Sequence, residues 1–98
     1  ASNAEKLGAY FRNKINEYIS KSDLVTLVRG RGLLNAIVIN DDEKSSTAWD
    51  LCVKMKMNGL LAKPTHGNII RFAPPLVINK EQLDTCIDII ISSIEEYS

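Results

Sequence analysis

Few residues in this sequence have the types and spacing that chemistry requires, and most fall in one stretch, LLAKPTHGNIIRFAPPLVI, from Leu60 to Ile78. It carries Lys63, His66, a single arginine (Arg71) inside an apolar run, and the double proline Pro74–Pro75. Arginine is rarely buried without a partner. Three arrangements answer that demand: Arg71 faces solvent, closes a structural salt bridge, or meets a carboxylate ligand. Its planar fork can hold a carboxylate through two parallel charge-assisted bonds. A short strand between a glycine turn and a double proline is a rigid support for a residue that must meet a ligand at fixed geometry.

The other reactive types have plainer readings. His66 is the only histidine and stands in a turn without a nearby nucleophile or second ligand. Lys63 has the chemistry of a Schiff-base lysine only in a desolvated site that lowers its pKa, and a lysine at a strand end is solvated. Ser45, Ser46 and Thr47 lack a base and are read as helix caps. Arg29-Gly30-Arg31-Gly32 is one copy of an arginine-glycine pair with no aromatic interleaving and no strand-to-helix context, so it is read as a hairpin turn. Cys52 and Cys86 fall on apolar faces of predicted helices and are read as buried free thiols of a reducing compartment. No cysteine or histidine cluster has metal-ligand spacing.

The elements that must position Arg71 follow from periodicity. Leu7, Phe11, Ile15 and Tyr18 make one stripe of a helix over residues 4–20. Residues 24–29 are β-branched and apolar and predict a strand. Gly30 and Gly32 mark a tight turn, and residues 33–40 predict a central strand, apolar nearly throughout. Ala48, Leu51, Cys52 and Met55 define a second helix, stopped by Gly59 in the left-handed region. Residues 60–63 predict a short strand ended by Pro64, and residues 69–72 another, ended by Pro74 and Pro75, which cannot donate ladder hydrogen bonds. Asn79 and Gln82 form a capping-box pair ahead of a helix with the stripe Leu83, Cys86, Ile87, Ile90, Ile91 and Ile94. The expected fold is α+β: one domain over residues 1–98, with a small, mostly antiparallel sheet of three to four strands and helices packed on one face.

Composition bounds the partners. The chain has 98 residues, 45% hydrophobic and 24% charged, with acids and bases balanced at 12 each. Zero net charge argues against a domain built to hold nucleic acid or an anionic membrane, and no apolar run approaches the ~20 residues of a membrane span.

Three strings carry a family resemblance: VRGRGLLNAIVI (28–39), NGLLAKPTHGNIIRFAPPLVI (58–78) and the isoleucine-rich helix after them. Together they resemble the ornithine aminotransferases, a branch of the class III, pyridoxal-phosphate-dependent aminotransferases of fold type I, over residues 5–95. The resemblance implies the C-terminal small domain of a larger enzyme, a homodimer or higher oligomer of the mitochondrial matrix or cytosol. It implies ornithine and 2-oxoglutarate as substrates and pyridoxal phosphate as cofactor. The cofactor lysine, its ring-nitrogen aspartate and the phosphate-binding groups belong to a large domain whose motifs are absent from these residues, so no catalytic residue and no bound cofactor is expected in this chain. Lys63 does not match the cofactor lysine. Arg71 aligns with the arginine that binds the α-carboxylate of glutamate or 2-oxoglutarate. Gly30, Gly32, Gly59, Pro74 and Pro75 match structural positions. The resemblance further implies an apolar sheet face where the large domain docks. The alternative is a stand-alone α+β module in which Arg71 recognises a small carboxylate.

Overall fold

A computed structural model describes residues 2–42, 44–65, 68–72 and 78–97. The chain runs α1 (Ser2–Ile19), β1 (Val25–Arg31), β2 (Leu34–Ile39), α2 (Thr47–Met57), β3 (Lys63–Pro64), β4 (Ile69–Phe72) and α3 (Lys80–Tyr97). The strands form one sheet in the order β1-β2-β4-β3, antiparallel at every pairing. This is the expected α+β fold, with β2 central as its apolar run predicts.

The sheet has an inner and an outer face because side chains alternate along each strand. On β2, Asn35, Ile37 and Ile39 are buried while Leu34 is exposed. Val28 and Ile70 flank Ile37 on the same ladder and are buried with it. Against this inner face pack Phe11 and Ile15 of α1, Leu51 and Met55 of α2, and Leu83, Ile87, Ile90 and Ile94 of α3, all in one cluster. Each such side chain contributes about 1.5–3 kcal/mol by leaving water. The helices therefore share one face of the sheet, and the other is left open by the described residues. The predicted stripe of α3 is narrower than its sequence suggests, since Cys86 and Ile91 are only partly buried.

Helix ends follow local chemistry. After α2, Gly59 takes φ +99, its N–H donates to Lys56 O (3.1 Å) and the Leu60 N–H donates to Met55 O (2.8 Å). That paired pattern is a Schellman motif. Before α3, the Gln82 N–H donates to Asn79 Oδ1 (2.8 Å) and the Asn79 N–H to Gln82 Oε1 (3.0 Å), the reciprocal bonds of a capping box.

Three expectations need correction. The first hairpin does not turn at residues 29–32: β1 continues through Arg31, which pairs with Leu34, and the loop is Gly32-Leu33. Gly32 alone there has positive φ (+56), as suits the first central position of a two-residue hairpin loop. Gly30 lies within the strand, and its need is space, because a Cβ there would stand 2.3 Å from Leu34 O. Second, Pro64 does not end a strand at residues 60–63; it belongs to β3, at the sheet edge, where a missing N–H costs no ladder bond. Third, no side chain caps α2. Ser46 is the N-cap residue without a side-chain cap bond, its hydroxyl donates to Asp50 Oδ2 (3.0 Å), and the Thr47 hydroxyl donates to Asp41 Oδ2.

Candidate functional site

The register of the sheet decides what surrounds Arg71. Ala36 pairs with Arg29 on one side and Arg71 on the other, and Arg71 pairs with Lys63. Direct partners in antiparallel strands point to the same face, so Arg29, Ala36, Arg71 and Lys63 form one row across all four strands. The row lies on the outer face: Arg29, Arg71 and Lys63 are exposed, whereas the neighbours of Arg71 on β4, Ile70 and Phe72, are buried. Arg31 is exposed two residues beyond Arg29 on the same face, as the two-residue period of a strand requires. Together the four cations edge an open groove of about 840 Å³ with Leu34 and Leu61 as apolar margins.

Among the described residues no carboxylate lines this groove. Among the described residues the only ion pair is Lys54–Glu96 at 3.9 Å, elsewhere on the surface, so the salt-bridge alternative for Arg71 is not realised within them. Like charges placed directly opposite across strands repel, and Lys63 and Arg71 are such a pair. Three basic side chains in a row with a small alanine between two of them make a surface that gains by meeting an anion. The sequence alone singles out Arg71, whereas Arg29 and Arg31 stand there in a run that reads as a turn. Their i, i+2 spacing was the available signal, hidden by assigning them to a turn.

The remaining candidates separate from this groove or do not add to it. Lys63 lines it but is exposed, which is not the desolvated setting of a Schiff-base lysine. None of the lysines in the chain is buried, and among the described residues no acid accompanies Lys63 in the groove, so the described residues do not fit a resident pyridoxal phosphate. His66, Pro74 and Pro75 lie outside the described residues. Cys52 and Cys86 are free thiols. Burial pushes the Cys52 thiol up to about 11 and raises that of Cys86 as well, which leaves both poor nucleophiles. Cys86 borders a second, apolar cavity of about 440 Å³ with Phe11, Leu33, Leu60, Phe72 and Ile90, which no charged side chain of the described residues lines. Among the described residues no group of histidine, cysteine and acid side chains could hold a metal, and no helix is long and apolar enough to cross a membrane.

The exposed apolar sheet face expected from the resemblance is apolar only at its margins among the described residues. Leu34 and Leu61 are exposed (69% and 72%), but they border a cationic row rather than form a continuous apolar sheet surface.

Comparison with known proteins places this architecture. The sequence model of the class-III aminotransferases matches residues 1–94. The mitochondrial ornithine aminotransferase of Drosophila melanogaster is 55% identical over 94 residues, covering 96% of this chain and 21% of that protein. The rat counterpart, from Rattus norvegicus, is 51% identical with the same coverage. The chain thus spans about a fifth of the length of the curated relatives it matches. Among solved structures, an acetylornithine aminotransferase from Elizabethkingia anophelis superposes with a TM-score of 0.91 at 66% identity, over 95% of this chain and 23% of that one. The ornithine aminotransferase of Plasmodium yoelii gives 0.88 at 42% identity, over 98% of this chain and 25% of that one. The fold and the sequence agree on one assignment: the chain belongs to the class-III aminotransferase family.

Proposed function

We propose that this chain is the C-terminal small domain of a pyridoxal-phosphate-dependent ornithine aminotransferase. The whole enzyme moves the δ-amino group of ornithine to 2-oxoglutarate, giving glutamate semialdehyde and glutamate, as a homodimer or larger assembly in the mitochondrial matrix or cytosol. The names of its relatives support the substrate, and their greater length supports a second, larger domain that holds the cofactor. Pyridoxal phosphate, when bound there, supplies the electron sink. The part played by this chain is to bind and orient.

One observation carries the reading: Arg71 is exposed on the sheet, in a groove that no carboxylate of the described residues lines. A planar oxo-acid carboxylate matches its fork. In the full-length enzyme, Arg71→Ala slows the 2-oxoglutarate half-reaction far more than the ornithine half-reaction, with a loss of about 2–5 kcal/mol, typical of a charge pair that loses one member. Single-turnover rates of the two half-reactions, measured separately, check this. Equal slowing of both would remove Arg71 from the role. The 98-residue chain alone has no transaminase activity and develops no lysine-dependent absorbance band with pyridoxal phosphate; a band abolished by one lysine substitution would contradict this.

A second donor is favoured by one specific finding, the 66% identity to a structure named as an acetylornithine aminotransferase. Turnover of ornithine against N-acetylornithine by the full-length enzyme decides between them. A stand-alone carboxylate-sensing module is the remaining alternative. It requires that the isolated chain bind 2-oxoglutarate with an affinity that Arg71→Ala removes.

A further inference from the structure

We infer that Lys63 is a second binding residue for the same carboxylate that Arg71 holds, so that the dicarboxylate site has a two-point cationic end. This rests on the reading of Arg71 given above and extends it to a residue that the reading did not use.

The register carries the inference. Lys63 is the direct cross-strand partner of Arg71, and directly opposed residues have Cβ atoms about 4.5–5.5 Å apart on one face. Both are exposed, both line the one groove, and neither has an acidic partner among the described residues. Two opposed cations are unfavourable until an anion lies between them. Arg71 offers a planar fork that fixes orientation, and Lys63 offers a point charge on a flexible stem that can meet the remaining lone pairs of the same carboxylate. Arg29 differs: it reaches Arg71 only across Ala36, two strand spacings or roughly 10 Å away. The plain alternative is that Lys63 merely protects the edge of the sheet, since β3 is an edge strand and lysine discourages pairing with another chain there.

The two roles predict different measurements. In the full-length holoenzyme, Lys63→Met should weaken 2-oxoglutarate in its half-reaction by about tenfold, the worth of one charge-assisted bond. It should leave the amino-donor half-reaction unchanged. Lys63→Arg should restore most of the loss. Glutarate, an unreactive dicarboxylate, gives a readout free of turnover: the rise in Tm it causes should shrink in Lys63→Met and recover in Lys63→Arg. An edge-protecting lysine would instead give a variant that aggregates or melts earlier, with unaltered response to 2-oxoglutarate and glutarate, and that result overturns the inference. The same result would follow if Lys63 pairs with an acid elsewhere in the parent polypeptide. Arg71→Ala, run in parallel, separates the two levels. If it spares the oxo-acid half-reaction, the reading of Arg71 itself fails; if it impairs that step while Lys63→Met does not, only the present inference fails.

Discussion

Gly8 and Gly32 show how two glycines earn their places for different reasons. Gly8 sits inside α1, where alanine would add up to about 1 kcal/mol of helix stability. A Cβ on Gly8, however, would stand 1.8 Å from the backbone oxygen of Gly32, and a backbone atom cannot yield without moving the hairpin. The side chain of Arg12 holds that carbonyl oxygen (3.2 Å) together with Asn35 Oδ1 (2.7 Å). Steric cost exceeds propensity, and Gly8→Ala is expected to destabilise by about 1–3 kcal/mol in urea unfolding. At Gly32 nothing lies within 4 Å of an added Cβ. Gly32→Ala pays only for a left-handed backbone, about 1–2 kcal/mol. A Gly8→Ala protein as stable as the parent would refute the close approach of helix and hairpin. The sequence identifies Gly32 as a turn residue, but Gly8 looks there like a weak point in a helix, because its neighbour is 24 positions away.

At the scale of elements, local sequence signals match the structure wherever the cause of structure is local. The capping box at Asn79 and Gln82 formed as its spacing predicts. Asn79→Ala should cost about 1 kcal/mol and should raise amide exchange in the first turn of α3 more than in its last; uniform exchange changes would argue against local capping. The stop at Gly59 and the bounds of β4 were legible for the same reason. The caps of α2 were not. The hydroxyls of Ser46 and Thr47 found carboxylates in Asp50 and Asp41, and that choice depends on where the preceding loop passes. The end of β1 was misread because glycines usually signal turns, whereas here Gly30 is a strand residue set by close contact.

Across the whole molecule, one chain of hydrogen bonds ties the loop after β2 to both later helices. The Tyr97 hydroxyl of α3 donates to Thr47 Oγ1 (3.3 Å), and the Thr47 hydroxyl donates to Asp41. The Thr47 hydroxyl, and after it the Asp42 N–H, hold the Asp41 carboxyl below its usual range. A carboxyl whose folded pKa is depressed stabilises the fold above its unfolded pKa, near 3.9, and that contribution is lost as pH falls through the lower folded value. Thr47→Val should therefore lower Tm most above about pH 4, and the gap to the parent should narrow under more acid conditions. A gap independent of pH would show that Asp41 is not part of the link. Helix stripes and the antiparallel hairpin lay in the order of residue types, since periodicity and local turns need only near neighbours. Only the tertiary structure decided which face of the sheet stays open, and that β4 inserts between β2 and β3. Pairing across those strands set Arg71 beside Lys63 and across Ala36 from Arg29, and no spacing along the chain encodes that row.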